Sequence, residues 1–496
     1  MKKSAASMQA WIGSALDGVA LADLQLDSRK VCANDIFFAL SGDADIHLHI
    51  EQALKNGASA IVIDSACSEK TSAERKIYAI DNLPRKLGEI AADFYGDPSG
   101  ICKVIGITGT NGKTTCSHWL AQAWRQVAGE AGVIGTLGCG VISEPILQET
   151  GLTTPDVLSN HRLLAAMLKK NVEMVAMEVS SHALDQNRVD GVKFDTAIFT
   201  NLSRDHLDYH LDMKTYAAAK KKLFARVELQ HAVINADDSF GKELTGQLRG
   251  SGVNLLTYAL NDKKADLGVE RYEVTGQGVH ASIRTPWGRG ALQSRYPGGY
   301  NLLNVLAVVA TLCAHGMRLQ TVLDVVAQLQ AVPGRTQIIS DGSDDILVVV
   351  DYAHTPDALQ KVLAALREQA QKQLLCVFGC GGNRDRGKRP QMAAVAATES
   401  DIVIVTSDNP RDESPDSIIA DVIAGFPDGN YKVVEDRASA IVYAISSAGA
   451  GDVVLLAGKG HENYQEINGK KLPFSDVEQA RSALAVRRKV LAGGVA

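Results

Sequence analysis

Short apolar runs that end in polar or Gly-rich residues recur along the whole 496-residue chain. Asp35-Ile-Phe-Phe-Ala-Leu40 reads as a strand, Ile50 to Asn56 as a helical face, and Ala60-Ile-Val-Ile-Asp64 as a second strand. Val104-Ile-Gly-Ile107 reads as a buried strand that runs through a Gly-rich turn into an amphipathic segment, Cys116 to Val127. Gly132-Val-Ile-Gly135, Val172 to Glu178 and Thr196 to Asn201 repeat the strand form. Tyr216 to Arg226 is helical, and Asn301 to Ala314 is an apolar helix entered from Pro297-Gly-Gly-Tyr300. Four further strands follow at Ile346–Asp351, Leu374–Phe378, Asp401–Thr406 and Val453–Ala457. Such alternation predicts an α/β protein with mainly parallel sheets and helices on both faces. Turn formers at Asp97-Pro98-Ser99-Gly100 and a break at Val332-Pro333-Gly334-Arg335 divide it into three domains, 1–98, 99–332 and 333–496. The first is a small α/β unit and the last is Rossmann-like.

In open parallel sheets, ligands bind beyond the carboxyl ends of the strands. The turn Thr108-Gly109-Thr110-Asn111-Gly112-Lys113-Thr114-Thr115 stands at such an end. Its backbone N–H groups and the following helix N-terminus form an anion site. Lys113 adds a point charge for the outer phosphates, and Thr114 a hydroxyl where Mg²⁺ would sit. Ile107 stands where the general P-loop pattern has its first Gly, so the match is incomplete. Glu178, Ser180 and His182 follow the next strand, and Arg204 to His210 the one after. Glu178 and His206 suit a second divalent site, although each could also be a cap or a satisfied polar residue. Lys220-Lys221-Lys222 is by default a solvated basic face, and spacing does not distinguish Lys220 from its neighbours. Asn301 and Asn304 share a helix face and suit a base edge, while capping explains Asn301 equally well. Leu26-Asp27-Ser28-Arg29 reads as a capping turn. Gly379-Cys-Gly-Gly382 lacks the G-x-G-x-x-G spacing of a dinucleotide fingerprint.

Composition narrows the function classes. A net charge of −6 argues against a nucleic-acid-coating surface. The longest apolar stretch, Leu302 to Ala314, is too short to span a bilayer, and no basic-then-apolar leader opens the chain. Eight scattered cysteines without zinc spacing fit reduced thiols in the cytoplasm. A nucleotide switch is disfavoured, because the guanine-reading Asn-Lys-x-Asp is absent and strand-end carboxylate, histidine and lysines suit chemistry.

Thr108–Thr115, Glu178-Val-Ser-Ser-His182, Asn201-Leu-Ser-Arg-Asp-His-Leu-Asp208, Pro333-Gly-Arg335 and Asp351-Tyr-Ala-His-Thr-Pro-Asp357 together resemble the ATP-dependent Mur ligases, in order and spacing. Leu26–Arg29, Thr153-Thr-Pro-Asp156, Asp408-Asn-Pro-Arg411 and Gly458-Lys-Gly-His-Glu462 resemble the members that add the third peptide residue, in the version that uses meso-diaminopimelate. The resemblance implies an N-terminal domain for the UDP moiety, a central ATPase and a C-terminal domain for the amino acid. It implies Mg²⁺ at two sites and ATP as co-substrate. ATP phosphorylates the carboxylate of a UDP-muramoyl-dipeptide, the amine attacks the acyl phosphate, and phosphate leaves.

By the same resemblance Gly109, Thr110, Asn111, Gly112, Lys113, Thr114, Thr115, Asn301, Arg335 and Asp351 contact ATP. Thr114, Glu178, His206 and a carbamylated Lys220 hold metal. Leu26, Ser28, Thr153, Thr154, Ser180, Gln186 and Arg188 hold the nucleotide-peptide. Arg384, Asp408, Asn409, Pro410, Arg411, Gly458 and Glu462 form the diaminopimelate pocket. Arg411 would clamp the far carboxylate bidentately and Glu462 would pair with the ammonium. The loop Ser41-Gly-Asp-Ala-Asp-Ile-His47 departs from the family pattern, so no nucleotide-sugar contact is assigned to it. The resemblance implies a cytoplasmic enzyme, expected to be a monomer, acting on small molecules without nucleic acid or membrane insertion. The same ligation with L-lysine, or a folylpolyglutamate synthetase-like reaction, is the alternative.

Overall fold

The computed structural model describes residues 5–12, 21–40, 42, 45–67, 76–275, 278–427 and 431–493. Ser41, Asp43 and Ala44 of the divergent loop lie outside the described residues. The chain divides into two compact units: Met1–Thr108, Ala128–Ala197 and Ala219–Gln230 form one, and Gly109–Val127, Ile198–Ala218 and His231–Ala496 the other.

The first unit opens with a four-stranded sheet in sequence order, Leu24–Gln25, Ile36–Ala39, Ala60–Asp64 and Ile77–Ile80, all parallel. Its central strands, Ile36–Ala39 and Ala60–Asp64, are buried on both faces, which explains their unbroken apolar runs. Phe37, Ala39, Ile61 and Ile63 pack on Ile46, Ile50 and Ala53 of the Ile46–Lys55 helix. Phe38, Ala60 and Val62 face the other way, onto Leu83, Leu87 and Ile90 of the Leu83–Tyr95 helix. The period-two alternation of a strand thus decides which helix each residue meets. In the same unit Lys103–Thr108, Met174–Glu178 and Ala131–Gly135 pair in parallel in that order, and Gly138–Val141 closes the edge as a hairpin.

In the second unit His231–Asn235, Asn254–Ala259 and Leu267–Thr275 pair in parallel. The last then continues into an antiparallel meander with Gly278–Thr285 and Gly288–Ser294. This meander departs from the expected alternation of strands and helices. Its signal was the period-two burial of Val279, Ala281 and Ile283 between glycine turns, which favours hairpins.

The C-terminal sheet runs Gln337–Ile338, Leu347–Asp351, Val453–Ala457, Leu374–Phe378, Ile402–Val405, Lys432–Val433, parallel except for the first strand. One face carries the Pro356–Arg367, Lys388–Glu399 and Pro415–Ile423 helices, the other Arg437–Ser447 and Asp476–Leu491. On the second face Arg437 and Asp476, both fully buried, share two 2.7 Å hydrogen bonds. Burial by itself would lower the guanidinium's pKa, but Asp476 outweighs it and raises it. Arg437 also donates to the carbonyl of Ala457, 2.9 Å away, at the strand end that leads into Gly458. Asp476→Ala strands a buried cation and is expected to cost about 3–5 kcal/mol in urea unfolding. A cost under about 1 kcal/mol would mean the guanidinium finds water or another partner.

Candidate active site

In the second unit, the glycine turn needs glycine at two points. Gly109 has φ +151°, and a Cβ there would sit 1.9 Å from Thr200 Oγ1. Gly112 has φ +87°, and a Cβ there would meet Asn304 Oδ1 at 2.6 Å. The turn is clamped by the segment after Phe199. Thr200 Oγ1 and Asn201 Nδ2 donate to the Asn111 carbonyl at 2.6 and 3.1 Å, and Asn201 Oδ1 accepts from Asn111 N at 2.9 Å. Thr110 and Ser203 exchange hydrogen bonds in the same way. With its backbone fixed from outside, the loop does not need a phosphate to hold its shape.

Lys113 Nζ lies folded over the turn, donating to the carbonyls of Gly109 and Thr110 at 2.8 and 2.9 Å. Thr114 Oγ1 accepts from Arg335 Nη2 at 3.0 Å. The helix starts at Lys113 and is buried from Thr114 through Ala121, so the polar side expected from Cys116 to Val127 is confined to its last turns, at Gln122, Arg125 and Gln126. The Gly299–Ala314 helix packs against it, and Trp119 stacks on Tyr296.

A cavity beside the turn is lined by Asn111, Gly112, Thr115, Asn304, Arg335 and Asp351, among others. Asn301 also borders it, but its amide donates to the Pro297 carbonyl at 2.9 Å, so a local backbone bond takes one of its two N–H donors. Burial raises the Asp351 carboxyl, opposed by Arg335 and by the Thr336 N–H at 2.6 Å. The Arg335 guanidinium lies 4.4 Å over the Tyr352 ring. Two histidines that the sequence reading passed over flank it. Burial, then the Arg335 charge, pushes His118 down to about 4 and His461 down to about 3. Both rings are therefore neutral near pH 7. His461 lay in view within Gly458-Lys-Gly-His-Glu462, a motif read only for its ends.

His206 adopts φ +55°, and its Nε2 lies 3.4 Å from Asp205 Oδ2. His354 and Lys388 approach the same buried carboxylate at 3.8 and 3.9 Å. Burial alone would raise Asp205, but the approach of His354 and the charges of His206 and Lys388 hold it well below the carboxylate range. Asp205 stood beside the expected ligand His206 without being singled out.

In the first unit Glu178 is fully buried. Its Oε1 accepts from Thr136 N at 2.9 Å and its Oε2 from Thr136 Oγ1 at 3.1 Å. Thr154 Oγ1 donates to the Glu178 carbonyl at 2.8 Å and accepts from Ser180 N at 3.1 Å. Ser180 caps the Ser181–Asp185 helix, and Arg188 bridges Gln186 and the Thr154 carbonyl. With Thr153 Oγ1 3.1 Å from the Thr136 hydroxyl, Thr153, Thr154, Ser180, Gln186 and Arg188 form one connected cluster with Glu178. Lys220 is 1% exposed while Lys221 and Lys222 are exposed, which overturns its default reading as part of a solvated face. Ser28 follows the helix cap Asp27 and faces His49 Nδ1 at 3.3 Å, with half-buried Leu26 packed on the core. His49 was not singled out, because it lies beyond the divergent loop.

The C-terminal strand ends, in the second unit, bring Asp408, Asn409, Arg411, Gly458 and Glu462 together. Arg411 does not stand free for a ligand: its Nε donates to Glu466 Oε2 at 3.1 Å and its Nη1 to the Gly382 carbonyl at 2.7 Å. Glu462 accepts from fully buried Lys459 at 2.9 Å and from Asn409 at 2.8 Å. Glu466 was missed, since nothing in its local sequence marks it as a partner 55 residues from Arg411, whereas Lys459 lay inside Gly458-Lys-Gly-His-Glu462, three residues before Glu462. The Pro410 carbonyl would lie 1.9 Å from a Cβ at Gly382, so that glycine allows the two loops to touch. Arg384 is exposed and donates to the neighbouring Asn383 carbonyl at 3.0 Å.

A glycine turn that runs from a strand into a helix, beside a polar cavity, has the form of a P-loop α/β protein. Residues 107–312 match the Mur ligase middle domain and residues 334–460 the Mur ligase, glutamate ligase domain. The chain is 48% identical, over 95% of its length and 96% of the relative's, to UDP-N-acetylmuramoyl-L-alanyl-D-glutamate–2,6-diaminopimelate ligase of Ectopseudomonas mendocina. A solved structure of a ligase of that name superposes with a TM-score of 0.68 at 37% identity, covering 94% of this chain and 95% of the other. Folylpolyglutamate synthase of Mycobacterium tuberculosis, solved with ADP and AMPPCP, covers 82% of this chain and 95% of its own at 17% identity and TM-score 0.63, a likeness of fold alone. The chain belongs to the Mur ligase family.

Proposed function

We propose that this protein joins meso-2,6-diaminopimelate to UDP-N-acetylmuramoyl-L-alanyl-D-glutamate with release of ADP and phosphate, in the cytoplasmic stage of peptidoglycan synthesis. The observation that carries the reading is the pairing of Arg411 with Glu466 at the strand end Asp408-Asn-Pro-Arg411. A carboxylate already occupies the guanidinium there, and the far carboxylate of diaminopimelate would take its place. L-lysine has no such group and would gain nothing from Arg411. A folate-directed ligase has no use for the arrangement either.

Residues 1–98 would bind the UDP moiety, 99–332 ATP, and 333–496 the amino acid. Phosphoryl transfer requires positioning and charge neutralisation more than covalent participation by the protein. Lys113 would leave the Gly109 and Thr110 carbonyls for the γ-phosphate, and Arg335 would leave the Thr114 hydroxyl. Asn301 and Asp351 would border the nucleoside. The Thr153–Arg188 cluster would orient the muramoyl-dipeptide carboxylate for phosphorylation. Asp408, Asn409 and Glu462 would then hold the incoming amino acid while its amine attacks the acyl phosphate, and phosphate leaves the tetrahedral adduct.

Thr114 is the proposed ligand of one Mg²⁺, and Glu178, His206 and Lys220 as its carbamate are those of a second; bound there, Mg²⁺ would supply charge neutralisation at the transferring phosphoryl group. The donor types fit a hard cation, and the approach of Gly135 to Glu178 leaves no room for a Cβ, which would lie 2.2 Å from Oε1. Mg²⁺ commonly uses one or two carboxylates with substrate phosphates; among the described residues no group of three or more His, Cys, Asp or Glu is arranged for a metal. No helix among the described residues is long and apolar enough to cross a membrane. We propose a cytoplasmic monomer.

Phosphate release measured across a panel of amino acids, with UDP-muramoyl-dipeptide and ATP, tests donor, acceptor and ADP-forming chemistry together. Release with diaminopimelate and not with lysine is expected; equal turnover with lysine would overturn the pocket assignment. Arg411→Ala is expected to raise KM for diaminopimelate about 10–100-fold, the worth of a charge-assisted pair, with KM for ATP unchanged. An unchanged value would remove the clamp.

A further inference from the structure

Glu178 is held by one residue at both oxygens. Thr136, in the turn between Ala131–Gly135 and Gly138–Val141, offers its N–H to Oε1 and its hydroxyl to Oε2. Two bonds from one residue fix the carboxylate's plane as well as its place. The neighbouring glycine permits this, because a side chain at Gly135 would overlap Oε1. The Thr136 hydroxyl also lies 3.1 Å from Thr153 Oγ1.

Proton counting gives that contact a direction. A carboxylate only accepts, so the single Thr136 hydroxyl proton goes to Glu178, and the Thr136 oxygen accepts from Thr153. The order is Thr153 to Thr136 to Glu178. Thr154 ties the same loop to the Glu178 backbone at 2.8 Å. Thr153 itself is half-buried in an irregular segment, where a ligand could order it.

We propose that Thr136 is the positioning residue for the Glu178 carboxylate, and that Thr153 acts through it to make metal binding and nucleotide-peptide binding mutually dependent. The inference rests on the proposed function, in which Glu178 holds a divalent metal and Thr153 contacts the UDP-muramoyl-dipeptide. A ligand that contacts Thr153 holds this chain of donors in place, so the metal meets a carboxylate already set. Reciprocity then requires the metal to tighten the nucleotide-peptide by the same factor.

Mn²⁺ binding to the full-length protein, followed by electron paramagnetic resonance with and without UDP-muramoyl-dipeptide, tests this. In the wild type, the nucleotide-peptide is expected to tighten Mn²⁺ several-fold. Thr136→Val is expected to weaken Mn²⁺ on the order of tenfold and abolish the linkage, while Thr136→Ser restores both. Thr153→Val should lose the linkage alone, and the double variant should match Thr136→Val. Unchanged Mn²⁺ affinity in Thr136→Val, persistent linkage, or additive effects of the two substitutions would overturn the proposal. If Thr136→Val does not fold, the contrast between Thr136→Ser and Thr153→Val decides: linkage kept in the first and lost in the second supports it, and the same linkage in both overturns it. Wild-type phosphate release with the nucleotide-peptide and diaminopimelate separates the two readings. Its absence sinks the ligase activity; its presence beside an indifferent Thr136→Val sinks only the positioning role.

Discussion

Lys113→Ala is expected to lower ATP-dependent phosphate release by about 10²–10³-fold or more, the loss seen when one preorganised donor to developing charge is removed. The ammonium sits at the mouth of the phosphate turn and is held by two carbonyls, Gly109 and Thr110, that a phosphate oxygen would outcompete. Charge-assisted bonds to phosphate are stronger than those to a neutral carbonyl, so the exchange is favourable. The fold should survive the substitution, because the turn is clamped independently by Thr200, Asn201 and Ser203. Circular dichroism and the melting temperature check that point. Turnover above about a tenth of wild type in a folded variant would remove the phosphate-turn assignment.

Lys220→Ala is the second large effect. A lysine at 1% exposure beside two exposed lysines is out of keeping with a solvated face, since a buried ammonium needs compensation. Carbamylation would convert it from a cation to an anionic oxygen ligand, which suits a divalent site. That modification requires the neutral amine, and a free lysine titrates near about 10.4, so the site must favour the modified form. We expect near-inactivity, partly rescued by short-chain carboxylates such as formate or acetate in the assay. Lys221→Ala and Lys222→Ala serve as controls. The Lys222–Asp185 contact at 2.9 Å is a surface pair worth about 0–1 kcal/mol, so both should keep wild-type turnover. Full activity of Lys220→Ala without added carboxylate would reduce Lys220 to a packing residue.

Much of this architecture was legible in the chain. Buried parallel strands write themselves as unbroken apolar runs, so Ile36–Ala39, Ala60–Asp64, Lys103–Thr108, Leu374–Phe378 and Val453–Ala457 lie where the pattern put them. The strand-end rule likewise pointed to Lys113, Glu178, His206 and Arg411 before any contact was known. The meander at Leu267–Ser294 was missed because its alternation was not counted against the helical alternative.

By itself, then, the sequence determined the class of fold, the glycine turn after Thr108 and the family, because these depend on local spacing: apolar periodicity, glycine where the chain turns sharply, and motifs contiguous in the chain. Only the tertiary structure decided which of three adjacent lysines is buried and that Thr136 holds both oxygens of Glu178. It also showed that Arg411 already has a carboxylate partner in Glu466 and that His118 and His461 sit neutral beside Arg335. Burial and hydrogen-bond partnership arise between residues tens to hundreds of positions apart. Glu178 and Thr136 are separated by 42 residues, Arg411 and Glu466 by 55, and Arg335 and Thr114 by 221. No local pattern encodes such pairings, since each exists only once the sheets have set which loops meet.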